Sequence, residues 1–128
     1  MQKKLSRVYQ LLIVIFALFT VWVYLGATNL ADNDMEFSDE ALSGKKLFQD
    51  YNCSSCHQIY GLGGYLGPDL TDFASKEYKG EDYLNAMLQT GPGQMPIYYF
   101  DSGQVRSLYA YLNELYQIDK KMQSMYLK

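Results

Sequence analysis

The chain has 128 residues, enough for one small domain or for one domain plus a membrane anchor. It is 48% hydrophobic, 20% charged and 16% aromatic, with 13 Tyr, which excludes an ordinary disordered chain. A formal charge of −3 lacks the basic footprint of nucleic-acid binding, so no nucleic-acid partner is expected. Two Cys and one His exclude a disulfide-rich scaffold and a multi-histidine metal cluster.

The charge is unevenly placed. Lys3, Lys4 and Arg7 make the first seven residues basic, and no charged side chain follows until Asp32. From there to Lys128 lie all 14 acids and only 8 bases. A basic tip, an apolar run and an acidic remainder suit a membrane-anchored protein.

Val8 to Ala27, VYQLLIVIFALFTVWVYLGA, carries no charge. As a helix these 20 residues would be about 30 Å long, roughly the hydrocarbon thickness of a bilayer. Tyr9 near one end and Trp22 and Tyr24 near the other suit interfacial aromatic belts. The basic tip predicts a cytoplasmic N-terminus. A cleaved signal peptide shares this pattern, but the apolar core is longer than usual. Leu25-Gly26-Ala27 also puts Leu where a small residue is needed. A third reading, a buried core helix, would need more chain to cover it than about 100 residues provide. The expected organisation is therefore a cytoplasmic tip over 1–7, a transmembrane helix over 8–27 and a tether over 28–37. A helical domain over 38–118 and a C-terminal tail over 119–128 follow.

Within the domain, Ser38 is placed to cap a helix with Asp39 and Glu40 in its first turn. Ala41, Gly44, Phe48 and Tyr51 recur at three- and four-residue spacing and form one stripe. A glycine in mid-helix costs about 1 kcal/mol relative to alanine, which close approach of a second helix would justify. The last helical pattern starts at Asp101 or Ser102 and runs to Tyr116. Val105, Leu108, Tyr109, Leu112 and Leu115 share its face. These two helices are expected to cross near Gly44.

Cys53-Ser54-Ser55-Cys56-His57 is a C-x-x-C-H sequence, the attachment signature of c-type haem. Two thiols one turn apart can reach the two vinyl groups on one porphyrin edge, and the next residue can aim its imidazole at the iron. A thioredoxin-like pair would need a βαβ context, and a zinc site would need a second Cys pair. Neither is present in the sequence. Cys53 and Cys56 are thus the expected covalent haem attachments and His57 an axial ligand.

Electron-transfer haem iron takes a second axial ligand, commonly Met. Met87 lies in EDYLNAMLQ, where Tyr83, Leu84, Met87 and Leu88 share a face, which suits a core gap-filler. Met122 and Met125 fall in the polar tail. Met95 lies in the Gly/Pro loop GPGQMP before the last helix, where no helix periodicity dictates it, and is the expected ligand. An open or differently ligated iron is the alternative.

The run from Tyr60 to Leu70, YGLGGYLGPDL, is glycine-rich without a phosphate-loop signature. It is read as backbone lying close against the haem edge. Pro68 keeps a free carbonyl that could accept the second imidazole proton of His57 and orient the ring. Aliphatic residues are few in this domain, so bound haem is expected to complete its core.

The order helix, CxxCH, Gly-Pro-x-Leu, Met-Pro, helix resembles class I cytochrome c, an all-α haem domain. More specifically, Cys53, Cys56, His57, Gly61, Gly63, Tyr65, Pro68 and Leu70, with Met95-Pro96, resemble the motif CxxCHxxxGxGxYxxPxL. That motif belongs to the membrane-anchored cytochrome c subunit of cytochrome c-dependent nitric oxide reductase. The family often has an acid where Leu62 stands here. The resemblance covers about residues 8–116. It implies one haem c and one anchor in the bacterial inner membrane, with the haem domain on the periplasmic side. It implies electron transfer from a soluble donor, a cytochrome c or a cupredoxin, to a large polytopic haem b catalytic subunit that reduces NO to N2O. It also implies that Gly63 and Tyr65 lie at the contact with that subunit, near a calcium ion. No catalytic residue is assigned to this chain. The alternatives are a stand-alone anchored cytochrome c, a subunit of a haem-copper oxygen reductase, or, in another class, a haem sensor with an open distal side.

Overall fold

The structure, a computed structural model, describes residues 2–31 and 36–126. The chain divides into two compact units, Met1–Glu36 and Phe37–Lys128.

The first unit is one helix, α1 (Gln2–Ala31), in which Leu5–Ala27 is long and apolar enough to cross a membrane. Its side chains over this span are exposed throughout, as a lipid-facing helix requires. The helix is longer than the expected 8–27 at both ends. It takes in the basic residues before Val8 and the first part of the segment read as a tether. The middle of that segment, 32–35, lies outside the described residues.

The second unit is helical, built from α2 (Asp39–Asp50), α3 (Glu81–Thr90) and α4 (Ser102–Tyr126). Ser38 caps α2, its hydroxyl oxygen accepting from the Ala41 amide at 3.1 Å. Glu114 on α4 then clamps this cap: its carboxylate accepts from the Ser38 hydroxyl at 2.6 Å and from the Ser38 amide at 3.0 Å. Below the clamp, α2 crosses α4 at Gly44. A Cβ there would collide with the backbone of Ser107 and Leu108. The absence of a side chain is what lets the two helices approach so closely.

The core is Ala41 and Phe48 from α2, Leu84 and Leu88 from α3, Phe73 from a short 3-10 turn, and Val105, Leu108, Tyr111, Leu112 and Leu115 from α4. Tyr111 is a buried member that the spacing argument left out, while Tyr109 is only half-buried. Tyr111 sits between Phe37 and Phe48, with ring centroids 5.7 Å from each. Three rings from three parts of the chain thus fill space that aliphatic side chains leave empty.

Two departures from the sequence reading stand out. The last helix continues to Tyr126 rather than ending near Tyr116, because nothing after Leu115 breaks it. Tyr51 leaves the buried stripe: α2 ends at Asp50, Asn52 adopts a left-handed φ of 52°, and the Tyr51 ring turns toward Tyr98 and Phe100. A small antiparallel hairpin, β1 (Gln58–Ile59) with β2 (Leu62–Gly63), is the sole β-structure among the described residues.

Candidate haem site

The C-x-x-C-H segment follows α2 directly and forms a single 3-10 turn over Cys53–Ser55. The Cys53 carbonyl accepts from the amides of both Cys56, at 3.2 Å, and His57, at 2.9 Å. Both cysteines are free thiols and half-buried. Burial pushes the Cys53 thiol above its ordinary pKa, and the neighbouring Cys56 adds to the rise.

The loop after the hairpin is laced onto this turn. Gly64 donates to Ser54 O at 2.9 Å, Gly67 to Cys56 O at 2.8 Å and Leu70 to Gln58 O at 2.9 Å. Three glycines make the fit possible. A Cβ on Gly63 would strike the carbonyl of His57, one on Gly64 the carbonyl of Ser55, and one on Gly67 the imidazole of His57. The glycine run therefore serves close packing on the C-x-x-C-H turn itself.

His57 is held from two sides. Its Nδ1 lies 2.9 Å from the carbonyl oxygen of Pro68. A carbonyl only accepts, so Nδ1 carries the proton and Nε2 keeps its lone pair for a metal. Gly67 backs the ring edge, where no side chain fits.

The hairpin turn is unusual. Tyr60 and Gly61 have φ of 53° and 73°, the pattern of a tight hairpin turn that usually excludes bulky residues. Tyr60 is held there by two bonds. Its amide donates to the Thr71 hydroxyl at 2.6 Å, and its own hydroxyl donates to Leu115 O on α4 at 3.0 Å. Asp69 closes the loop, accepting from the Gly61 amide at 3.1 Å and the Thr71 amide at 2.7 Å. Burial acts to raise the Asp69 pKa, but the bonds from Thr71 and Gly61 outweigh it and hold the carboxyl below its ordinary value.

Met95 lies in the loop between α3 and α4, half-buried and packed against the core. This loop is anchored at both ends. Gly91 closes α3 with a left-handed φ of 55°, and the Tyr98 amide donates to Leu88 O at 2.8 Å. Tyr98 and Phe100 stack with centroids 5.6 Å apart, and Tyr51 meets both edge-on, at 5.6 and 4.7 Å. Burial, with the nearby Cys53 and Cys56, raises the Tyr98 pKa. This aromatic wall beside the cysteines is the main feature that the sequence reading missed. The alternation of Tyr98 and Phe100 after Met95-Pro96 was its available signal.

The donor set fits haem c: two accessible thiols one turn apart, an imidazole oriented with Nε2 free, and a half-buried thioether in a loop pinned to the same core. Gly63 and Tyr65 flank this arrangement, Tyr65 with 86% of its surface exposed.

Helices α2 and α4 crossing at a glycine, with a C-x-x-C-H turn at the end of the first, define a c-type cytochrome domain of class I. Residues 39–112 match the family model described as cytochrome c oxidase, cbb3-type, subunit III, and the chain belongs to that family. It is also similar to a nitric oxide reductase subunit of Stutzerimonas stutzeri, 25% identical over 80% of this chain and 82% of the relative. The nitric oxide reductase subunits of the same name from Paracoccus denitrificans (26% identical, 65% of this chain and 55% of the relative) and Halomonas halodenitrificans (25% identical, 77% and 74%) match as well. The first match covers more of the chain than the Phe37–Lys128 unit alone contains, so the likeness reaches into the N-terminal unit.

Proposed function

We propose that this chain is the monohaem electron-transfer subunit of a nitric oxide reductase. It would take electrons from a soluble cytochrome c or cupredoxin and pass them to a large polytopic haem b subunit that reduces NO to N2O. The observation that carries the haem assignment is His57, with Nδ1 bonded to Pro68 O and Nε2 free, directly after the Cys53/Cys56 pair. Haem c supplies the one-electron Fe(III)/Fe(II) couple. Cys53 and Cys56 would hold it through their thiols, His57 and Met95 would supply ligands to its iron, and the Tyr51–Tyr98–Phe100 rings would pack beside it. The likeness to nitric oxide reductase subunits from three bacteria supports the choice of complex.

In this reading α1 anchors the chain in the bacterial inner membrane. Its basic tip stays cytoplasmic and the haem domain lies on the periplasmic side. Gly63 and Tyr65 contact the catalytic subunit. Calcium at that contact belongs to the same reading and would be held by oxygen ligands, backbone carbonyls among them.

The description of the matching family supports a second reading, in which the acceptor is a haem-copper oxygen reductase. Purification in mild detergent decides between them. Co-purification of a polytopic haem b protein that consumes NO supports the first reading. A partner that consumes oxygen supports the second, and isolation without a partner supports a stand-alone cytochrome. Haem that extracts freely into acid-acetone would refute covalent attachment.

A further inference from the structure

Helix α4 outruns the domain it packs on. Among the described residues, the core and the side chains packed on it end at Leu115, yet the helix continues to Tyr126. This further stretch changes character. After Asp119 the sequence has Lys120, Lys121 and Lys128 and no Asp or Glu. Lys120 and Lys121 are exposed, whereas Asp119 is half-buried. Asp119 is turned to the domain: burial first, and then its charge, raises the pKa of Tyr60 on the hairpin turn. Its Oδ2 also accepts from Gln123 Nε2 at 2.6 Å. Ile118, Met122 and Met125 recur at four and three residues, the spacing of one helical stripe, and Lys121 stands beside it. A short apolar stripe edged by lysine is the pattern of a helix lying in a membrane interface.

The point at which the domain is leashed decides what this end can meet. Phe37 and Ser38 are pinned to α4 itself. The Phe37 ring packs on Tyr111 with centroids 5.7 Å apart, and the Ser38 hydroxyl and amide donate to the Glu114 carboxylate at 2.6 and 3.0 Å. Residues 32–36 join Phe37 to the end of α1 at Ala31, a reach of at most about 20 Å. A domain of this size is about 30 Å across, so the leash is shorter than the domain. Phe37 therefore stays close to the bilayer that Leu5–Ala27 is long and apolar enough to cross. Lys121 follows Glu114 on the same helix, only about 10 Å further along.

We propose that this end of α4, through Lys120 and Lys121, docks on the anionic headgroups of the membrane that α1 crosses. The proposal rests on the reading of α1 as a membrane anchor. Charge complementarity selects the occupant. A lysine beside an anionic bilayer favours the bound state about fivefold, so two give about thirtyfold at low salt. The leash keeps the local concentration of lipid high, so a contact too weak to recruit a soluble protein suffices here. Docked in this way, α4 is held at the clamp and at its tip, and the haem domain keeps one side toward the lipid.

The test uses full-length holoprotein in nanodiscs, of phosphatidylcholine alone or with about one-third phosphatidylglycerol, and reads amide hydrogen exchange over 116–126. Exchange should be about tenfold slower or more in the anionic discs at low salt. The difference should vanish in 1 M salt, where the screening length falls to about 3 Å. Lys120→Glu with Lys121→Glu should abolish it, and Lys120→Arg with Lys121→Arg should keep it. Lys46→Glu with Lys76→Glu, an equal charge change at exposed positions elsewhere, should also keep it. The haem spectrum should be the same in every variant, which shows that each is folded. Equal exchange in the two lipids overturns the proposal, as does protection that survives Lys120→Glu with Lys121→Glu or is lost in the Lys46 and Lys76 pair. Protection seen only when a polytopic partner is present also overturns it, since the end of α4 would then belong to a protein contact. Co-elution of the chain with the discs in 1 M salt separates the two levels. Loss of co-elution removes the anchor reading; co-elution with equal exchange removes the α4 contact alone.

Discussion

The Nδ1 of His57 and the carbonyl oxygen of Pro68 stand 2.9 Å apart, and Gly67, between them in the loop, lies against the imidazole so closely that a methyl group would overlap it. Orientation of the ring therefore depends on backbone alone. Gly67→Ala should push the imidazole aside or break the bond to Pro68. Less haem should be retained, and the ferric spectrum should shift from low-spin toward high-spin. Gly93→Ala is the control. Its φ of 66° makes alanine unfavourable by about 1–2 kcal/mol, but nothing lies within 4 Å of the added carbon, so the spectrum should not change.

Gly44 makes a prediction of opposite sign to helix propensity. Alanine in an exposed helix interior would stabilise by about 1 kcal/mol. Here its Cβ meets the backbone of Ser107 and Leu108, which cannot rotate away. Forcing α2 and α4 apart costs about 1–3 kcal/mol, as overpacking of a core does. Gly44→Ala should thus lower the denaturation midpoint of the holoprotein, measured in urea by circular dichroism. A raised midpoint would mean that the crossing is looser than the structure has it.

Much of this architecture was legible because it rests on local signals. Ser38, the Gly44 stripe and the α4 face each follow from caps and spacing, and the family match and three relatives agree with a cytochrome c subunit. What escaped depends on long-range partners. Glu114 clamps Ser38 from 76 positions away, and Tyr60 is held in a left-handed turn by Leu115, 55 positions on. Tyr111 fell outside the stripe because a helix packed by several neighbours buries more than one narrow face. The sequence alone suggests that the glycines after His57 make room for haem. Their collisions lie with the C-x-x-C-H turn, whose shape no spacing rule describes.

Asp69 should make the loop acid-sensitive. The bonds from Gly61 and Thr71 hold its pKa below the ordinary value near 3.8. A depressed carboxyl contributes stability that is fully present above the unfolded pKa and is lost as pH falls through the folded one. The contribution should therefore be complete at neutral pH and decline only below about pH 4. Asp69→Ala should lower the urea midpoint at pH 7, and the gap to wild type should narrow progressively as pH falls below about 4. A gap that is constant over this range would point to lost packing instead.

Met95 and Met87 provide a paired test of iron ligation. Met95→Ala should abolish the sulfur-to-iron charge-transfer band of the ferric protein and open the iron to carbon monoxide in the ferrous protein. Met87 is half-buried on α3 beside the buried Leu84 and Leu88. Met87→Ala should leave both spectra intact while costing stability, within the about 2–5 kcal/mol seen for buried methionines and below its upper end because the site is only partly buried. Exchange of the two outcomes would move the ligand to α3.

The family resemblance implies that Tyr65 and Gly63 lie at one contact with a larger subunit, and the structure separates how each can be tested. Gly63 has a φ of 136°, and a side chain there would strike the carbonyl of His57. Gly63→Val must therefore damage the haem turn whether or not a partner exists, and its failure says nothing about an interface. Tyr65 has 86% of its surface exposed and lies outside the core. Removing its ring leaves no cavity in this chain, so Tyr65→Ala should keep the unfolding free energy, measured in urea, within about 0.5 kcal/mol of wild type, as surface substitutions do. Haem content and the spectrum should be unchanged. If the ring anchors a contact with the catalytic subunit, its truncation should weaken assembly by about 1–2 kcal/mol or more, a loss typical of interface tyrosines. Quantifying the polytopic partner retained on the tagged variant, beside the wild type at equal haem, reads this directly. Equal retention with equal electron delivery to the partner would place the contact elsewhere on the domain.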